Sequence, residues 1–248
     1  MLIKFICCDV FTRIACDLVA KSRNIIDLEF IPMLTHVEPD KLRQLIQERI
    51  DNNVSESGRK YEALILGFGL CGNAATGLSC PIPMVIPRAH DCCTILMGSR
   101  ESFTADFGNS LSTRWCSTGY YERTSIRGSG YPNLDQLANY KTSAEYMRYL
   151  EQYDEDTAEY LWRTMHPMIE TDESIYIKTE GFEYSDSYEN YKAQMDKMDI
   201  HLRTVTGDVS LLRALTEGDW DEEKFLLVPP GKKIVGVYDM EYVMRAGE

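Results

Sequence analysis

The run from Leu2 to Ile6 is apolar apart from Lys4 and predicts a buried strand. Phe11, Ile14, Ala15, Leu18 and Val19 then recur at helical spacing, so a helix follows. Ile26 to Ile31 predicts a second strand. Pro39 suits the first turn of the next helix, whose apolar face is Leu42, Leu45, Ile46 and Ile50. Asp51-Asn52-Asn53 ends that helix. Ala63 to Leu66 predicts a third strand and leads into a glycine-rich turn. Met84 to Ile86 predicts a fourth, closed by Pro87, before a helical segment around Asp91 to Met97. Strands alternating with helices give a parallel sheet, because each crossover packs back onto it. The expected fold is therefore α/β, with a Rossmann-like parallel sheet carrying helices on both faces, over residues 1–120.

Residues 121–141, with Gly128, Gly130 and Pro132, read as irregular. Thr142 and Glu145 fit a capping box, and Met147, Leu150, Ala158, Leu161 and Met165 mark one face of a long helix or of two broken ones. Ile175 to Ile177 predicts a short strand, and Tyr188, Tyr191, Met195 and Met198 follow at helical spacing. Leu202 to Val205, Phe225 to Val228 and Ile234 to Tyr238 are further strands, and the Pro229-Pro230-Gly231 turn predicts a hairpin between the last two. Residues 121–248 are thus a second α/β segment, extending the first sheet or forming a lobe of its own.

Composition narrows the function classes. The formal net charge is −13, which repels phosphate backbones and anionic lipid surfaces, so neither nucleic acid nor a membrane is an expected partner. The first apolar run is too short for a signal-peptide core, and no 18-residue apolar stretch follows. A cytoplasmic protein with reduced thiols is the expectation. The 8 cysteines all lie in the first half, and in such a protein they read as metal ligands, catalytic groups or packing residues rather than disulfides.

In an open parallel sheet, ligands bind beyond the carboxyl ends of the strands. Cys7 and Cys8 follow the first predicted strand, His36 the second and Cys71 the third, while His90, Cys92 and Cys93 follow the fourth. Thiolate and imidazole together suit zinc or iron, and thiolates hold iron–sulfur clusters. Neighbouring side chains on a strand point to opposite faces, so one of Cys7 and Cys8 faces such a site, and Cys92 and Cys93 divide in a similar way. The candidate ligands are Cys8, His36, Cys71, His90 and Cys92, with Asp9 and Asp91 as orienting groups or hard ligands. Cys16, Cys80 and Cys116 read as packing residues, and His166 and His201 as structural.

Gly67-Phe68-Gly69-Leu70-Cys71-Gly72 spells G-x-G-x-x-G after a strand, and Gly69 and Gly72 are candidate cofactor-binding positions on that account. The stretch between Gly72 and Val85 is short for the helix that a dinucleotide site needs, and no acidic residue ends the next strand. The other reading is that the glycines make a tight turn and let Cys71 approach its partners closely. Arg88 is a candidate for binding an anionic substrate or for pairing with a surface carboxylate.

Cys8-Asp9-Val10-Phe11, His36-Val37-Glu38-Pro39, Gly69-Leu70-Cys71-Gly72 and Pro87-Arg88-Ala89-His90-Asp91-Cys92 resemble the successive motifs of the family called domain of unknown function 1638. Gly207-Asp208 and Val228-Pro229-Pro230-Gly231 resemble its C-terminal pattern. The order and spacing of these segments carry the resemblance. It implies that the family's cysteine and histidine positions fall on Cys8, His36, Cys71, His90 and Cys92. It also implies a place in one-carbon or corrinoid-linked methyl-group metabolism, with a corrinoid protein or methyltransferase as partner.

The leading expectation is a protein binding zinc or an iron–sulfur cluster. One alternative is a metal-free enzyme with a cysteine–histidine nucleophile. Another is a structural assembly partner of a methyltransferase.

Overall fold

Every residue of the first strand is buried, Lys4 included. The computed structural model describes residues 1–33, 38–55, 57–108, 114–125, 144–159, 173–183, 185–237 and 242–248. In chain order the elements are β1 (Leu2–Cys8), α1 (Thr12–Lys21), β2 (Ile25–Ile31), α2 (Pro39–Asp51), β3 (Ala63–Gly67), β4 (Met84–Pro87), α3 (Cys92–Leu96) and α4 (Arg100–Phe107). There follow β5 (Trp115–Ser117), α5 (Thr118–Ser125), α6 (Ala144–Gln152), β6 (Glu173–Thr179), α7 (Ser187–Lys197), β7 (His201–Gly207), α8 (Ser210–Glu217), β8 (Phe225–Val228), β9 (Lys233–Gly236) and β10 (Met244–Gly247).

The fold is α/β, built on a five-stranded sheet in the order β2-β1-β3-β4-β8. β1 through β4 run parallel, and β8 joins β4 antiparallel at the edge. Two residues of β1 show that the first two helices cover opposite faces. Cys7 lies within electrostatic reach of Cys16 on α1. Lys4, of opposite parity, donates to the Asn52 carbonyl just past α2 at 2.6 Å. Lys4 also pairs with Glu29 on β2 at 2.8 Å, so the charge that interrupts the apolar run is satisfied inside. Ile14, Ala15 and Leu18 on α1 and Leu42, Ile46 and Ile50 on α2 are the buried stripes that meet the sheet. α8 packs on α1 and over β3 and β4, burying Leu211, Leu212 and Leu215.

The chain forms two compact units. The first comprises Met1–Asn109, Ile177–Tyr184 and Thr204–Glu248, and holds the five-stranded sheet. The second comprises Ser110–Tyr176 and Ser185–Arg203, and its core gathers Cys116, Tyr176, Tyr191 and Met195. β5, β6 and β7 form a separate three-stranded sheet.

Two local expectations are corrected. β8 and β9 are not a hairpin: β8 pairs with β4 and β9 with β10. The Pro229-Pro230-Gly231 turn therefore changes partners between sheets, and Gly231 donates to the Cys80 carbonyl at 2.8 Å instead. Residues 118–125, partly read as irregular, are the helix α5, whose Tyr120 and Tyr121 pack on the second unit's core. Among the described residues, no helix is long and apolar enough to cross a membrane.

Candidate functional site

At the end of β1 the two adjacent cysteines part company. Cys7 is fully buried, with its Sγ 3.9 Å from the Gly67 carbonyl oxygen on β3. A carbon added at Gly67 would lie 2.5 Å from that sulfur, so Gly67 leaves room for the Cys7 thiol. Cys8 turns to the other face, at the start of a short 3₁₀ turn over Asp9–Phe11. The buried Asp9 carboxylate accepts the Met33 amide at 2.7 Å and ties the end of β1 to the end of β2.

Beyond β3 and β4 the two connections are sewn together. The Leu70 amide donates to the Ala89 carbonyl and the Cys71 amide to the His90 carbonyl, both at 2.8 Å. A carbon on Gly69 would come within 2.6 Å of the Asp91 nitrogen, so a side chain there would force the loops apart. Cys71, Gly72 and Asn73 follow with φ of 49°, 63° and 71°, three consecutive left-handed residues of which only one is glycine. Residues 71–77 are consecutive turns, so no helix N-terminus stands behind the glycines to receive a pyrophosphate.

After β4, Asp91 caps α3, its Oδ1 accepting from the Thr94 amide at 2.9 Å and the Thr94 hydroxyl at 3.0 Å. That cap places Cys92 at the first helical position, half-buried, while Cys93 turns wholly inside. Burial pushes the Cys92 thiol well above its ordinary range, and the charges of Cys8, Asp91, Cys71 and Cys93 push it further. Burial also takes Cys71 up to about 12, with Asp91 adding to the rise and a Gly69 backbone hydrogen bond opposing it. Thus Cys8, Cys71 and Cys92, from the ends of three different strands, share one electrostatic neighbourhood.

The other sequence candidates are placed differently. His36 and His166 lie outside the described residues. His90 is half-buried, and its Nε2 is shut from water without a hydrogen-bond partner. Burial holds the His90 pKa below its ordinary value and Arg100 lowers it further, against Asp91, so the ring is neutral near pH 7. His201 is exposed on β7, and Cys16 is exposed on α1. Arg88 engages backbone rather than a carboxylate. Its Nε donates to the Glu222 carbonyl at 2.9 Å, and its Nη1 to the carbonyls of Tyr242 at 2.9 Å and Met244 at 2.5 Å. Sequence reading passed over Arg100, whose position in the first turn of α4 gave no motif to mark it.

The described part of the edge does not close on a single ion: among the described residues, no three His, Cys, Asp or Glu side chains are grouped to hold one.

The fold and this edge define an α/β protein with cysteines at or after the ends of three neighbouring parallel strands. Residues 30–216 match the family described as "Protein of unknown function (DUF1638)", and the chain belongs to it. Neither the curated proteins nor the solved structures give a significant match.

Proposed function

We propose that the first unit binds a thiophilic metal group, zinc or an iron–sulfur cluster, through Cys8, Cys71 and Cys92. The observation that supports this is that Cys8 ends β1 while Cys71 and Cys92 follow β3 and β4, which are neighbouring parallel strands and so end at one edge of the sheet. Burial disfavours the thiolates of Cys71 and Cys92, and a cationic metal group would reverse that penalty by holding them deprotonated. His90, neutral and with a buried unpartnered Nε2, and His36 are the candidates for a further ligand. A cluster here would move electrons. Reactivating an oxidised corrinoid is the form of that chemistry the family resemblance implies, with a corrinoid protein or methyltransferase as partner.

The metal-free nucleophile is the weaker reading. Burial pushes the Cys71 thiol up to about 12, which disfavours the thiolate a nucleophile needs near pH 7. Elemental analysis and an absorption spectrum of anaerobically purified protein test the proposal. Iron with sulfide and a broad visible band supports it; no metal after reconstitution with iron, sulfide or zinc sinks it.

A further inference from the structure

A cleft of about 460 Å³ lies in the first unit, with Arg88, Thr94, Ser99, Arg100, Lys224 and Tyr242 among its walls. We propose that it binds a small oxyanion, the phosphate or carboxylate group of a small-molecule ligand, with Arg100 as the principal counter-charge.

Three observations converge. Arg88 is immobilised: three backbone carbonyls hold its guanidinium, and the Tyr242 ring lies 5.9 Å from it. Its positive charge is fixed at the wall by these backbone contacts rather than by a bidentate carboxylate, with Glu222 as the nearby acidic group. Arg100 lines the same cleft, so two guanidiniums face a shared space, and Arg100 adds to the burial that disfavours the Arg88 charge. Arg100 also forms no ion pair among the described residues, and its Nη1 is shut from water without a hydrogen-bond partner. A pair of guanidiniums lining one cleft is an arrangement that an oxyanion completes through bidentate contact.

Carboxylates share the cleft with these charges, and Glu222 favours the charged form of Arg88. Ser99 caps α4, and Glu101 beside it is held ionised by hydrogen bonds and by the charges of Arg100 and Lys224. Glu222, Glu223 and Lys224 are exposed at the rim. Their mixed signs favour a small anion over an extended polyanion, in keeping with the net charge of −13. The inference does not rest on the metal reading, since none of the thiols lines the cleft.

The test is calorimetric titration of the full chain with inorganic phosphate and, separately, with succinate, at ionic strength fixed with sodium chloride. Saturable binding of either supports the proposal. Phosphate alone assigns a phosphate-bearing ligand, and succinate alone a carboxylate. Arg100→Gln should weaken binding about tenfold or more, the cost of removing a charge-assisted bidentate contact. Arg100→Lys should retain part of it. If Arg100→Gln does not fold, Lys224→Glu puts an acid on the exposed rim and should abolish binding. No binding to the native chain, or equal binding in folded Arg100→Gln or in Lys224→Glu, overturns the proposal. Cys71→Ser should leave the titration unchanged. Loss of binding there would move the anion to the thiol edge and overturn this assignment, whatever the metal content.

Discussion

Gly69 and Asp91 lie backbone against backbone: a carbon added at Gly69 would sit 2.6 Å from the Asp91 nitrogen and 2.8 Å from the Ala89 oxygen. Neither obstacle is a flexible side-chain end, so the loops would have to separate. Gly69→Ala should destabilise the chain by about 1–3 kcal/mol, the usual range for overpacking. A urea melt checks the figure. Gly58→Ala, at a site with nothing within 4 Å, isolates the cost of a positive φ alone.

The three-thiol edge makes a prediction about composition. Cys8→Ser, Cys71→Ser and Cys92→Ser should each lower the metal content of reconstituted protein while leaving the chain folded. Cys16→Ser, on the exposed face of α1, should not. Equal metal content in Cys71→Ser and native protein, measured by plasma emission, would exclude Cys71 as a ligand.

The raised thiols also set the alkaline limit of the metal-free protein. Cys71 has an ordinary pKa of 9.0 and a folded value of about 12. Between those values the folded chain keeps a proton that the unfolded chain has lost, so stability falls as pH rises through this window and is unaffected by this group below it. The urea midpoint should therefore drop more steeply from pH 8.5 to pH 10.5 in native protein than in Cys71→Ser. Metal binding has the opposite sign, because thiolates are the ligands: stabilisation by added metal should grow between pH 6 and pH 8.

Arg88 fastens two later stretches of chain to the end of β4 through the carbonyls of Glu222, Tyr242 and Met244. Arg88→Ala should cost about 2 kcal/mol, a typical value for hydrogen bonds to a charged group. Lysine should rescue little of it, since an ammonium lacks the planar fork that reaches several acceptors. Hydrogen exchange should quicken at β10 before it does at β1.

Much of this was legible along the chain. The first four strands and both crossover helices follow from apolar periodicity, because each element meets the core along one repeating face. The positions of Cys8, Cys71 and Cys92 at strand ends were readable too, since parallel connectivity forces every odd connection to the same edge. Family membership followed from the order of short motifs that are individually unspecific.

The remainder depended on contacts between distant residues. Alternation implied that Cys7 and Cys8 face opposite ways, and the packing of Cys7 against Gly67 shows which face each one takes, both of them buried. Phe225–Val228 and Lys233–Gly236 look like hairpin partners by their spacing, but β4 and β10 offered them other edges. Local pattern reports propensity, whereas strand pairing is decided by whichever edge lies open in the folded chain. Arg100 carries no motif at all. What distinguishes it is a second guanidinium brought beside it from the end of β4, and bringing remote charges together is what tertiary structure alone can do.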